Sequence, residues 1–172
     1  MSIFGSRERL TQNRVIALFR DELDFRYLGD WSDRADNGNI EEGLLSSWLA
    51  DQGYSSAQIN MAAHRLRTEA NHPNRTLYAN NQAVYNLIRY GVQLRVEPGQ
   101  PTKTVHLVNW AEPGKNDFAI AEEVTLKGNL ERRPDLVLYL NGIAIGVIEL
   151  KSSRVSIGDG IRQLLSNGGL KW

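Results

Sequence analysis

Apolar residues recur at helical spacing up to about residue 91 and at strand spacing after it. Val15, Leu18, Phe19 and Leu23 fall on one side of a helical period, which predicts a first helix with Ser6 placed to cap it. Gly29 to Asn39 is rich in Asp, Asn and Gly and reads as a loop. Asn39-Ile40-Glu41-Glu42 has the form of a helix start, with Asn39 as cap and Glu42 at the third helical position. Leu44, Leu45, Trp48 and Leu49 make the buried stripe of that helix, and Gly53 ends it. A third helix is expected from Ala57 to Glu69, and a fourth from Asn80 to Tyr90 with Gly91 as its stop.

Then the period changes. Val92 to Val96, Thr104 to Val108 and Phe118 to Leu126 read as strands between Pro, Gly and Asn turns. The clearest pair comes last: Asp135 to Leu140, then Asn141-Gly142, then Ile143 to Leu150. Asn-Gly between two apolar runs is a strong hairpin signal. Both strands are apolar on both faces, so both are expected at the centre of a sheet covered by helices. A short helical segment is expected around Gly160 to Leu165. The fold class that follows is α/β (α+β), with 1–91 mainly helical and 92–172 carrying a mixed sheet, in one domain.

Composition narrows the chemistry. The chain has 172 residues and no cysteine, so disulfides and thiolate metal sites are excluded. It shows no secretory signal and no apolar run able to cross a bilayer, and a cytoplasmic protein is expected. Net charge is zero, yet residues 127–172 hold 7 basic and 4 acidic side chains against 13 and 16 before them. That bias is small, and a solvated surface explains it equally well.

The candidate chemistry sits at the base of the hairpin. Asp135 opens the first strand; Glu149-Leu150-Lys151 closes the second. Antiparallel strands bring the two acids to the same end, and Glu149 and Lys151 share a face. Two carboxylates at the end of apolar strands repel each other and are costly to bury alone. Mg²⁺ answers both problems, because it favours carboxylate oxygens, waters and a substrate phosphate. A regular two-residue turn would pair Asp135 with Ile148 and set Asp135 and Glu149 on opposite faces. The site therefore requires a shift of one residue, expected as a three-residue loop with a bulge at Gly142. The competing reading is a surface hairpin with a salt bridge at its end, since bare matches to such a spacing arise by chance.

The run Glu131-Arg-Arg-Pro-Asp135-Leu-Val-Leu-Tyr-Leu-Asn-Gly-Ile-Ala-Ile-Gly-Val-Ile-Glu149-Leu-Lys151 resembles the nuclease motif of type I restriction enzyme R subunits, members of the PD-(D/E)xK nuclease superfamily. The likeness extends upstream through Asn116-Asp117-Phe118 and Arg89-Tyr90-Gly91-Val92, and covers the chain to about Asn167. It implies a restriction-endonuclease-like sheet and an Mg²⁺-dependent endonuclease acting on double-stranded DNA. By the same resemblance Asp135 and Glu149 hold the metal, the Leu150 carbonyl adds a ligand, Lys151 is catalytic, and Gln163 serves catalysis or DNA contact. Where related nucleases often carry a tyrosine four residues after that glutamine, this chain has Asn167. Glu41 and Glu42 are candidates for a further acid from an early helix, although a capping role suits Glu42 better.

The resemblance also implies modification and specificity subunits as partners and ATP-driven motor domains in the longer subunit. This chain has no phosphate-binding GxxxxGK[ST] loop, so ATP enters only through those domains. Its ending suggests a fragment with an incomplete nuclease core. The alternative reading is therefore a catalytically incompetent fragment that acts as a subunit-docking module. Lys127, Arg132, Arg133 and Arg154 flank the candidate site and could hold backbone phosphates. His64, His72 and His106 have no ligand spacing, and Trp31, Trp48, Trp110 and Trp172 no stacking pattern.

Overall fold

The computed structural model describes residues 3–96, 99, 101–125, 133–150, 158 and 161, with side chains from residue 8 onward. The chain gathers into two compact units, each made of separated segments. The first contains the described parts of 1–38, 118–139 and 144–170; the second contains 39–117 and 140–143.

The first unit holds α1 (Ile3–Ala17), a π-helical turn (Leu18–Glu22) and the strands β1 (Arg26–Asp30) and β4 (Phe118–Glu122), with most of β5 (Leu136–Leu140) and β6 (Ile143–Ile148). Ser6 lies inside α1, so it is not the cap expected of it. β1 falls across the start of the expected Gly-rich loop and was not legible as a strand. Only a partner makes it one: it pairs parallel with β4, Arg26 opposite Ala119 and Tyr27 opposite Ile120. The sheet order is β1-β4-β5-β6. Hydrogen bonds from Asn141 to Asp117 and from Glu123 to Asp135 mark the two ends of the β4–β5 pair, which is therefore antiparallel. Among the described residues β5 has a strand on each side and β6 has one, so only β5 takes the central place expected of both. Ile16 of α1 packs with Ile120 and Leu136, and Val15, Phe19, Phe25, Leu138 and Ile148 close around them. On β5, Val137 and Tyr139 are also buried, with the Tyr139 ring 5.6 Å from Trp31. This explains the apolar residues at successive positions of β5.

The second unit holds α2 (Glu42–Asp51), α3 (Ser56–Ala70), α4 (Leu77–Tyr90), the short antiparallel pair β2 (Val92–Leu94) and β3 (Lys103–Val105), a 3₁₀ turn (Pro113–Lys115), and the hairpin tip. α2 begins later than the sequence suggested: Glu41 occupies the cap position without a side-chain cap bond, and Glu42 is the first helical residue. The expected Asn39 cap is thus corrected; the Asn39–Glu42 segment instead lies along the hairpin, with Ile40 bridged to Ile143 and the Glu41 N–H on the Gly142 carbonyl at 2.8 Å. α3 starts with a full capping box between Ser55 and Gln58, and Thr76 caps α4 through the Ala79 N–H. Leu45, Leu49 and Leu66 are completely buried, each contributing about 1.5–3 kcal/mol by leaving water. Glu69 is buried beside Arg65 and Arg75, and its hydrogen bond to Arg75 is the first cause that holds its carboxyl below the usual glutamate range. Of the expected segment Gly160 to Leu165, only Ile161 is described, and it is helical, as is Gly158.

The hairpin tip is anchored by Asn141, which is fully buried. Its amide nitrogen donates to the Leu107 carbonyl and to Asn116 Oδ1, both at 2.9 Å, and its Oδ1 accepts from the Asp117 N–H at 2.7 Å. Gly142 has φ +80°, and a Cβ there would lie 2.7 Å from both the Glu41 carbonyl oxygen and the Leu45 nitrogen.

Two stability predictions follow from these contacts. Asn141→Ala removes three hydrogen bonds from a fully buried position, so it should lower the unfolding free energy by about 2–4 kcal/mol in urea titration. Gly142→Ala should cost about 2 kcal/mol or more, from its left-handed backbone and the collision with α2. An unchanged midpoint for either variant refutes the anchoring role. Because the Glu69 carboxyl is depressed in the folded state, its contribution is present above the unfolded glutamate pKa and fades as pH falls through the folded one. Glu69→Gln should therefore flatten the acid limb of the stability curve, and an identical limb would exclude this account.

Candidate active site at the base of the hairpin

The turn itself differs from expectation. Asn141 and Gly142 both have positive φ, 52° and 80°, and β6 starts directly at Ile143. This is a two-residue turn of the mirror-image type, so the bulge expected at Gly142 is absent from the loop. The one-residue shift occurs further along β6. A Cβ on Gly146 would lie 3.6 Å from the Leu138 side chain, and Ile148 packs in the cluster of Leu136 and Leu138. Regular pairing from the turn would instead set Leu138 opposite Ile145 and send Ile148 to the other side. One extra residue is thus absorbed between Ile143 and Gly146, where Ile145 is 47% exposed amid buried and half-buried neighbours. Gly146 and Ile148 therefore lie on the face of Leu138 and Leu136.

Asp135 lies at a bend just before β5, and hydrogen bonds rather than pleat alternation place it. Its carbonyl accepts from the Glu123 N–H at 2.9 Å, tying it to the end of β4. Its Oδ2 accepts from the Leu150 N–H at 2.6 Å. The carboxylate therefore rests against the peptide that joins Glu149 to Leu150, just past the end of β6. Among the described residues β6 ends at Ile148, so this N–H lies past the ladder.

An open pocket surrounds this contact, lined by Glu8, Arg9 and Gln12 from α1, Glu123 after β4, Arg133 and Asp135 before β5, and Leu150. Three carboxylates and two guanidinium groups thus face one space. Arg133 pairs with Glu123 at 3.0 Å while remaining 59% exposed, so solvent screens that pair strongly. Beneath the pocket Glu122 is 2% exposed. Its carboxylate accepts from Arg9 at 2.6 and 3.2 Å, from Gln12 at 2.9 Å and from the Tyr27 hydroxyl. Burial first, then the bond to Glu122, pushes the Tyr27 phenol up to about 12. The same carboxylate raises the Arg9 guanidinium above its ordinary value through their hydrogen bond. Asp30 at the end of β1 is held below the carboxylate range, chiefly by the Ser32 N–H at 2.9 Å.

The candidate residues are distributed as follows. Asp135, Arg133 and Leu150 come together in the pocket. Glu149 is half-buried and, among the described residues, is not part of that lining. Lys151, Gln163, Arg132, Arg154, Lys127 and Asn167 lie outside the described residues. Glu41 and Glu42 belong to the second unit, where Glu41 is buried and Glu42 pairs with Arg67 at 3.0 Å. The early-helix acid that lines the pocket is Glu8, which the sequence reading missed. A signal for it existed: Glu8 and Gln12 stand four apart on the polar side of α1. Among the described residues no group of three or more His, Cys, Asp or Glu side chains is already arranged to hold a metal ion. No described helix is long and apolar enough to cross a membrane.

A protein of Methanocaldococcus jannaschii, named for the MjaIXP type I restriction enzyme as its endonuclease subunit, is 28% identical over 116 residues, 64% of this chain and 10% of that protein. The subunit named for MjaVIIIP in the same organism is 33% identical over 73 residues, 41% of this chain and 7% of its own length. The chain thus spans about a tenth or less of the curated relatives it matches. The family described as Type I restriction enzyme R protein N terminus (HSDR_N) matches residues 5–168, and the chain belongs to that family.

Proposed function

We propose that this chain is the DNA-cleaving domain of a type I restriction R subunit, an Mg²⁺-dependent endonuclease that hydrolyses phosphodiester bonds. The observation that carries this reading is the Asp135 carboxylate on the Leu150 N–H, in a pocket it shares with Glu8 and Glu123. Carboxylates beside a strand-end peptide form a hard-oxygen donor set, which fits Mg²⁺. Asp135 and Glu149 would hold the ion with the Leu150 carbonyl, and Glu8 would add a further oxygen. When bound, the ion supplies Lewis-acid polarisation of the phosphate and a more acidic water. Lys151 would offset the charge that develops on the phosphoryl oxygens, and Gln163 would contact the DNA or the attacking water. Arg133, with Arg132 and Arg154, would bind backbone phosphates and so position duplex DNA without reading its sequence. Arg133 would then exchange Glu123 for phosphate.

In the complete enzyme, modification and specificity subunits would supply the recognition sequence, and ATP-driven motor domains would deliver the DNA. The other reading, a docking module without catalysis, makes a different prediction in the same assay. Supercoiled plasmid is incubated with the 172-residue chain and Mg²⁺, beside its Asp135→Asn and Lys151→Ala variants. Nicking should be lost with EDTA, and Lys151→Ala should reduce it by roughly 10²-fold or more. Asp135→Asn should abolish nicking yet shift stability by no more than about 1 kcal/mol, since an amide oxygen can still accept from Leu150. Equal nicking by all three proteins, or none by any with intact binding to a modification subunit, would refute the nuclease reading.

A further inference from the structure

We propose that buried Glu122 is a positioning residue for the cation site, locking the two acid-bearing segments Glu8 and Glu123 in register with Asp135; this rests on the function proposed above. Glu122 does not line the pocket, but its hydrogen-bond partners stand one turn apart on α1: Arg9 with both guanidinium nitrogens, and Gln12. Arg9 is the chain neighbour of Glu8, and Glu123 is the chain neighbour of Glu122 itself. Gln12 also donates to Glu123 Oε1 at 3.3 Å, so one amide bridges the buried carboxylate and the pocket carboxylate. The Tyr27 hydroxyl adds a donor from β1. A buried ion with this many donors has little freedom, because any sliding of α1 leaves a charge or a donor unpaired. The apolar contacts of Ile16 and Phe19 hold α1 against the sheet but are non-directional. Direction along the helix axis comes from Glu122. Holding the pocket carboxylates in place lowers the reorganisation needed when a cation enters.

Simple electrostatics and a tether differ in sign for the removal of Arg9. Arg9 is a cation in the pocket wall, so its removal should tighten or leave unchanged the binding of a divalent cation if charge alone matters. If Arg9 acts through Glu122 as a tether, Arg9→Ala should weaken binding. Its side chain is 47% exposed, and Gln12 and the Tyr27 hydroxyl still donate to Glu122 without it, so the variant is expected to fold. Mn²⁺ affinity of the 172-residue chain would be measured by electron paramagnetic resonance, with thermal unfolding recorded alongside. Arg9→Ala and Glu122→Asp, the latter keeping the charge but shortening its arm, should each raise the Mn²⁺ dissociation constant about 10- to 100-fold. Binding of either folded variant at the wild-type constant, or tighter, overturns the positioning role while leaving the site intact. Wild-type binding that is absent, or that survives Asp135→Asn, instead overturns the site itself and the inference with it.

Discussion

A strand that ends inside a protein leaves backbone groups that something must satisfy. At the end of β6 that group is the Leu150 N–H, and the acceptor is the side chain of Asp135. One contact therefore does two things: it terminates the hairpin and sets a carboxylate against the Glu149–Leu150 peptide. The rest of the pocket follows from where this pair lies. Asp135 is also joined to Glu123 through its carbonyl, so its backbone cannot shift without disturbing β4.

Charge is distributed unevenly around that point. The pocket lining carries Glu8, Glu123 and Asp135 against Arg9 and Arg133. One arginine is committed to buried Glu122, and the other, itself exposed, to half-buried Glu123. The two pairs differ in kind. An exposed pair contributes little and exchanges partners readily. The Arg9–Glu122 pair is buried on one side alone, with Glu122 2% and Arg9 47% exposed; breaking it leaves the buried carboxylate short of a partner, and this makes it directional. The second unit uses the same device at Glu69, which holds Arg65 and Arg75 beside α3.

The hairpin shows how a turn signal in the sequence can be met in a form the sequence did not specify. Parity along β6 had to shift by one residue for the site to close, and Asn-Gly pointed to the loop as the place. Asn141 instead adopts a regular two-residue turn, because its side chain is engaged by Leu107, Asn116 and Asp117, and this holds the loop in one form. The extra residue is absorbed near Ile145, on a strand with a neighbour on one side among the described residues, where a disrupted ladder costs least.

Much of the architecture was legible from local pattern: three helices of the second unit and the β5–β6 hairpin with Asp135 at its base. Those signals are short-range, set by periodicity, capping and turn chemistry within a few residues. Leu150 entered only through the family resemblance, as a carbonyl ligand, whereas its N–H is what meets Asp135. Tertiary structure alone made Arg26–Asp30 a strand, since it becomes one by pairing with a segment ninety-odd residues away. It also decided the early-helix acid. Glu41 and Glu42 suited the local pattern as well as Glu8 did, and nothing in a linear chain says which helix will lie over the sheet end. Glu122 was invisible for the same reason: in sequence it is an ordinary acid after an apolar run, and its role exists only once Arg9, Gln12 and Tyr27 fold around it. Local sequence determines what each segment can become; burial and pairing between distant segments decide which acids meet.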